Sequence, residues 1–178
     1  MNILLVNVPY TLVKIELCPL EQVSLDTLRL ISLLEAQHHE VNFINMRSKD
    51  KYLWKKRKGG LLSTSELQML IASKTQLFLI NNLKELGNKI HQIWLVCNFS
   101  FSPYTYDIDI IKSLVSISKK YLADAKIKVG GTFINLFPEF LNGLDIDKFY
   151  FDNHEISKYK PKLSVLKDEG YGLFQLTK

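Results

Sequence analysis

Short, nearly continuous apolar runs alternate along this chain with longer segments in which apolar residues recur every three or four positions. Ile3-Leu4-Leu5-Val6 is the first run, the pattern of a strand covered on both faces by helices, and it opens an edge at Asn7-Val8-Pro9-Tyr10. From Leu20 to His38, Leu25, Leu28, Ile31 and Leu34 keep helical spacing, with Leu30 and Leu33 widening the stripe. Val41, Phe43 and Ile44 give a second strand and complete a βαβ unit, expected to be right-handed.

The alternation breaks between Ser48 and Leu62, where Tyr52, Trp54, a basic cluster and Gly59-Gly60 indicate a long loop or insertion. Ser63-Thr64-Ser65-Glu66 fits a capping box, and a long helix follows, with Leu67, Leu70, Ile71, Phe78, Leu83 and Leu86 on its apolar side and Gly87 at its end. Ile93-Trp94-Leu95-Val96 reads as a third buried strand, leading into Cys97-Asn98-Phe99-Ser100-Phe101-Ser102-Pro103. Ile111, Leu114, Val115, Ser118 and Leu122 form the stripe of the next helix, with Lys119 and Lys120 near its negative end. Lys126-Ile127-Lys128-Val129 is a fourth strand running into Gly130-Gly131-Thr132, and Phe149-Tyr150-Phe151 a fifth.

Strands alternating with helices predict an α/β fold with a doubly wound, mostly parallel five-stranded sheet of the Rossmann or flavodoxin type. The length of 178 residues suits one such domain, taken as residues 1–158, with a basic insertion at about 47–62 and a C-terminal linker at 159–178. Apolar residues make up 47% and charged residues 23%, the composition of a chain that buries a core. No apolar stretch reaches the roughly 20 residues that cross a bilayer, and no signal-peptide pattern opens the chain, so a cytoplasmic location is expected.

Charge changes this picture in one place. Arg47 to Gly60 holds seven basic residues and one acid, a net +6 out of a chain total of +5, so the rest is slightly acidic. Lys55, Lys56, Arg57 and Lys58, with Tyr52 and Trp54, offer a loop for an acidic peptide, a partner protein or nucleic acid; a solvated loop is the plainer alternative. Cys18 and Cys97 belong to no Cys-x-x-Cys pair.

In sheets of this type ligands bind beyond the carboxyl ends of the strands, where the strand order reverses. That edge should gather Asn7 to Tyr10, Asn98 to Ser102, Gly130 to Thr132 and Asp152 to Glu155, while His38, His39 and His91 precede strands and fall at the opposite edge. Gly130-Gly131 permits close backbone approach and leaves amides for an anion, or is simply a tight turn. Ser100 and Ser102 offer hydroxyls to a ligand, or merely exit the strand. His154 is a candidate ligand or base with no second histidine or cysteine at ligand spacing. Walker, dinucleotide-fingerprint and nucleophile-elbow motifs are all missing, and the edge carries no acid, base and nucleophile set, so the chain alone is not expected to be an enzyme.

Asn2-Ile3-Leu4-Leu5-Val6-Asn7-Val8-Pro9, the loop after Ile93-Trp94-Leu95-Val96, Lys128-Val129-Gly130-Gly131-Thr132 and the ending Tyr159-Lys160-Pro161-Lys162-Leu163 together resemble the N-terminal cobalamin-binding domain of B12-dependent radical SAM enzymes. The resemblance implies a cobalamin across the carboxyl edge, its nucleotide tail beside the strands, contacted by Pro9, Tyr10, Asn98, Ser100, Ser102, Gly130, Gly131, Thr132 and His154. It also implies a radical SAM domain, in cis or in trans, that carries the [4Fe-4S] cluster and SAM for a methyltransferase or cyclase. Two family motifs depart. Asp-x-His-x-x-Gly is absent, so that loop supplies no histidine to cobalt, and Gly-Glu-Gly-Glu after the fifth strand is replaced by Asp152-Asn153-His154-Glu155, where only Glu155 matches.

Overall fold

The computed structural model describes residues 1–8, 23–46, 64–86, 89–98, 108–149 and 153–164. The basic run at 47–62, Ser63, Gly87, Pro9, Tyr10, Ser100, Ser102 and Asp152 lie outside that set.

β1 (Asn2–Asn7) sits between two neighbours, β2 (Glu40–Asn45) and β3 (Gln92–Val96), and Ile3 through Asn7 are buried. β4 (Lys126–Gly130) continues the sheet beyond β3, and a three-residue β5 (Asp147–Phe149) closes it, giving the order β2-β1-β3-β4-β5. Every pairing is parallel. The sheet is therefore four strands of five or six residues plus a short edge strand. That edge strand begins two residues earlier than the Phe149-Tyr150-Phe151 expected from the aromatic run.

Handedness sorts the helices. The step from β1 to β2 runs one way along the sheet, whereas the steps into β3, β4 and β5 run the other, so right-handed crossovers place their helices on opposite faces. α1 (Leu25–Ala36) covers one face, packing Leu28, Ile31 and Leu34 against Ile3, Leu5 and Val96. α2 (Thr64–Leu86) and α3 (Ile108–Tyr121) cover the other, where Leu79, Leu83, Ile111, Leu114 and Val115 meet Leu4, Val6, Ile93, Leu95 and Val129. The stripe expected on α3 is the buried one, Ser118 included.

Two elements had no clear sequence signal. α4 (Thr132–Leu136) and a 3-10 turn (Pro138–Leu141) follow β4 on the α2/α3 face. Phe133 anchors them, with ring centroids 5.1 Å from Phe137 and 4.9 Å from Phe140. Pro138 cuts the apolar spacing into pieces too short to announce a helix. α5 (Asn153–Ser157) returns to the α1 face through Ile156. The chain then runs along α1, with the Lys162 amide donating to the Leu28 carbonyl and the Ser32 hydroxyl to that of Lys160.

Candidate functional site at the carboxyl edge of β1, β2 and β3

Connections leave β1 in one direction and β3 in the other, so the order reverses between these two strands. The main chain extends the ladder past the strand ends there: Val8 N–H donates to the Val96 carbonyl, and Cys97 N–H to the Gly130 carbonyl. Side chains on the α1 face at this level are polar. Asn7 and Asn45 stand side by side in register, and the Asn7 amide donates to Asn45 Oδ1 at 2.9 Å. Asn7 is 0% exposed, and its own Oδ1 has no hydrogen-bond partner. An unmet buried acceptor of this kind costs about 1–3 kcal/mol.

Asn98 occupies the matching place after β3 and is 7% exposed. Its amide donates to Thr27 Oγ1 at 2.7 Å, and its Oδ1 accepts from the Thr132 amide at 3.2 Å. One side chain thus ties the first turn of α1 to the exits of β3 and β4. Thr27 is held in turn by Ser24, the N-cap of α1, whose hydroxyl accepts from the Thr27 amide at 3.1 Å and pairs with Thr27 Oγ1 at 2.9 Å. Ser24-Leu25-Asp26-Thr27 has the composition of a helix start, a signal that would have placed the boundary at Ser24 rather than Leu20.

Gly131 shows why a glycine pair follows β4. Its φ is +116°, a region that side-chain-bearing residues rarely adopt, and a Cβ there would lie 2.6 Å from Asn98 Oδ1 and 2.7 Å from the Cys97 carbonyl oxygen. The space beside Gly131 is filled by the exit of β3, so this glycine serves backbone packing. Of the two readings of Gly130-Gly131, amides kept for an anion or a tight turn, the local bonding favours the turn: Thr132 N–H is taken by Asn98 and Phe133 N–H by the Cys97 carbonyl at 2.9 Å.

Of the residues expected at the site, Asn98, Gly130, Gly131 and Thr132 come together. Asn98 reaches inward as a clamp, rather than outward. Pro9, Tyr10, Ser100 and Ser102 lie outside the described residues, as do Lys55, Lys56, Arg57 and Lys58. His154 is exposed on α5, where its carbonyl accepts from Ser157 Oγ at 2.9 Å. His91 sits at the opposite edge as expected, its Nδ1 accepting from the Asn2 amide at 3.1 Å, and His38 and His39 lie in the turn entering β2. Asn45, Thr27 and Ser24 escaped the sequence reading because their importance depends on which strands are neighbours.

Among the described residues, no group of His, Cys, Asp and Glu could hold a metal ion. Nor is any helix among them long and apolar enough to cross a membrane. Asn7, Asn45, Asn98, Ser24, Thr27 and Thr132 bring uncharged amides and hydroxyls to this edge, and Asp26 of the same turn of α1 is paired with Arg29 at 3.2 Å. No protein-family model matches the chain, and no curated protein matches its sequence.

Proposed function

We propose that this chain is a cobalamin-binding module working with a radical SAM domain, in cis or in trans, and that it is not catalytic alone. The observation that carries the reading is the cluster of amide and hydroxyl side chains at the β1/β3 reversal, with the orphaned Asn7 Oδ1 within it. A corrin ring is edged with carboxamides, which donate and accept hydrogen bonds without charge, so a rim of asparagines, serine and threonines fits it better than it fits a free phosphate.

Asn7 and Asn45, buried and bonded to each other, would form the floor beneath the ring, while Asn98 would fix the loops around it. Cobalamin supplies methyl-transfer or radical chemistry through its cobalt, and the cluster and SAM belong to the partner domain. The protein's own part is to orient the ring and exclude water. With no described histidine on this rim, the contribution of these residues is to the ring edge and not to the metal.

Incubation with hydroxocobalamin followed by desalting tests the reading. Protein that keeps a stoichiometric corrinoid absorbance supports it, and colourless protein overturns it. FMN treated in parallel serves as the comparison, because a flavodoxin-like site would retain the flavin instead.

A further inference from the structure

Residues 159–163 form neither helix nor strand, yet they are bonded to α1 over three of its turns. Leu28, Ser32 and Glu35 stand one above the other on a single stripe of α1, the spacing that brings helical residues onto one face. The Leu28 carbonyl accepts from the Lys162 amide at 3.2 Å, the Ser32 hydroxyl donates to the Lys160 carbonyl at 2.7 Å, and the Glu35 carboxylate takes the Lys162 ammonium at 2.5 Å. Tyr159 adds apolar contact, packing on the cluster that holds Leu28, Ile31 and Ile156. Part of the segment's shape is local in origin, since Pro161 fixes its own φ and the Leu163 amide closes on the Pro161 carbonyl at 2.9 Å.

The order of these bonds gives the segment a direction. Lys160 meets Ser32, and two residues later the Lys162 amide meets Leu28, one turn nearer the start of α1. The chain therefore runs antiparallel to α1, toward Ser24 and the carboxyl edge of the sheet. It reaches the turn that carries the asparagine clamp: Leu28 follows Thr27, whose Oγ1 accepts from the Asn98 amide at 2.7 Å, and Asn98 Oδ1 accepts from the Thr132 amide at 3.2 Å. The first turn of α1 is thus held from two sides, by the strand exits beneath it and by residues 159–163 along its flank.

We propose that residues 159–163 are a strap that sets the position of the first turn of α1 and, through Thr27 and Asn98, the exits of β3 and β4. A displacement of the chain beyond the strap is then felt at the carboxyl edge. The path is short and contiguous, from the Lys162 amide to the Leu28 carbonyl, across one peptide to Thr27, and through Asn98 to Thr132. Lys160 and Lys162 act as positioning residues and need touch no ligand. The proposal holds whichever ligand the edge takes.

Amide hydrogen exchange of the full chain tests it, because a local opening shows at the amides it frees. Ser32→Ala removes the bond to Lys160 while giving α1 a better helix former, so any loosening is not a loss of helix propensity. Combined with Lys162→Met, which keeps the apolar stem without the charge, it should speed exchange at the Thr27 and Thr132 amides by about fivefold or more, the factor that one lost hydrogen bond of ordinary strength corresponds to. The His91 and Lys126 amides, bonded to the Asn2 and His91 carbonyls at the opposite edge, should be unchanged. Lys162→Glu, which sets two carboxylates together, should also release Thr27 and Thr132, and the exchange of charges in Glu35→Lys/Lys162→Glu should restore their protection. Unchanged exchange at Thr27 and Thr132 in these variants overturns the proposal. Acceleration of equal size at both edges overturns it as well, because that is a loss of global stability. Failure of the chain to retain cobalamin leaves every one of these measurements untouched, so the two readings fail separately.

Discussion

Replacing Gly131 by alanine should be among the most damaging single changes available at the carboxyl edge. Two independent penalties meet there. The first is conformational: φ of +116° with ψ of 178° is a region open almost only to glycine, and holding alanine in it costs of order 1–3 kcal/mol. The second is steric, because the new methyl would sit 2.6 Å from Asn98 Oδ1, 2.7 Å from the Cys97 carbonyl oxygen and 2.8 Å from its carbonyl carbon. Overpacking of that kind typically adds about 1–3 kcal/mol. The total of about 2–6 kcal/mol is a large share of the roughly 5–15 kcal/mol that holds a domain folded.

With a urea m-value of about 2 kcal/mol/M, the unfolding midpoint followed by circular dichroism should fall by about 1–3 M. The double variant Gly131→Ala/Asn98→Ala separates the contributions. It removes one of the crowding atoms but leaves the Cys97 backbone and the unfavourable φ in place, so the loss should persist. A change in Gly131→Ala smaller than about 1 kcal/mol, or full rescue by Asn98→Ala, would refute the packing argument.

Asn98→Ala by itself removes both clamp bonds and should cost about 2 kcal/mol in the same assay, at about 1 kcal/mol per hydrogen bond. If cobalamin is retained by the native chain, this variant should also lower that retention, checked by corrinoid absorbance after desalting. Asn45→Leu should be more destabilising than Asn7→Leu in urea unfolding, because losing Asn45 strands the whole buried Asn7 amide, whereas losing Asn7 also removes an acceptor that already lacks a partner; equal effects would contradict this. Lys119 holds the Asp145 carboxyl below its ordinary range, by a hydrogen bond at 2.8 Å first and by charge attraction second. The contribution to stability is therefore present above the unfolded-state pKa near 3.8 and disappears as pH falls through the lower folded value. It is small and salt-sensitive, since Asp145 is fully exposed. Carboxyl NMR titration should show Asp145 returning to its ordinary value in Lys119→Ala.

Local chemistry made much of this fold readable in the chain. The continuous run Ile3-Leu4-Leu5-Val6 could only be satisfied by cover on both faces, and the stripe Ile111, Leu114, Val115, Ser118 and Leu122 could face the sheet only as a helix. Strand-then-helix order also placed Asn98 and Gly131 on one edge and His91 on the other, because a parallel sheet sends every strand's carboxyl end the same way. The basic run from Arg47 to Lys58 was legible as a composition, and it lies outside the described residues.

Tertiary structure decided the rest. That Asn7 meets Asn45, and Asn98 meets Thr27 and Thr132, follows from the strand order and register, which no local pattern encodes. In sequence Gly131 could equally serve a ligand or a tight turn, and it is the exit of β3 that fills the space a side chain would need. Trp94 belongs to a run that reads as buried and is half-buried in the fold, its indole N–H donating to Gln92 Oε1. Periodicity reports what a residue needs, and only the assembled layers determine whether that need is met.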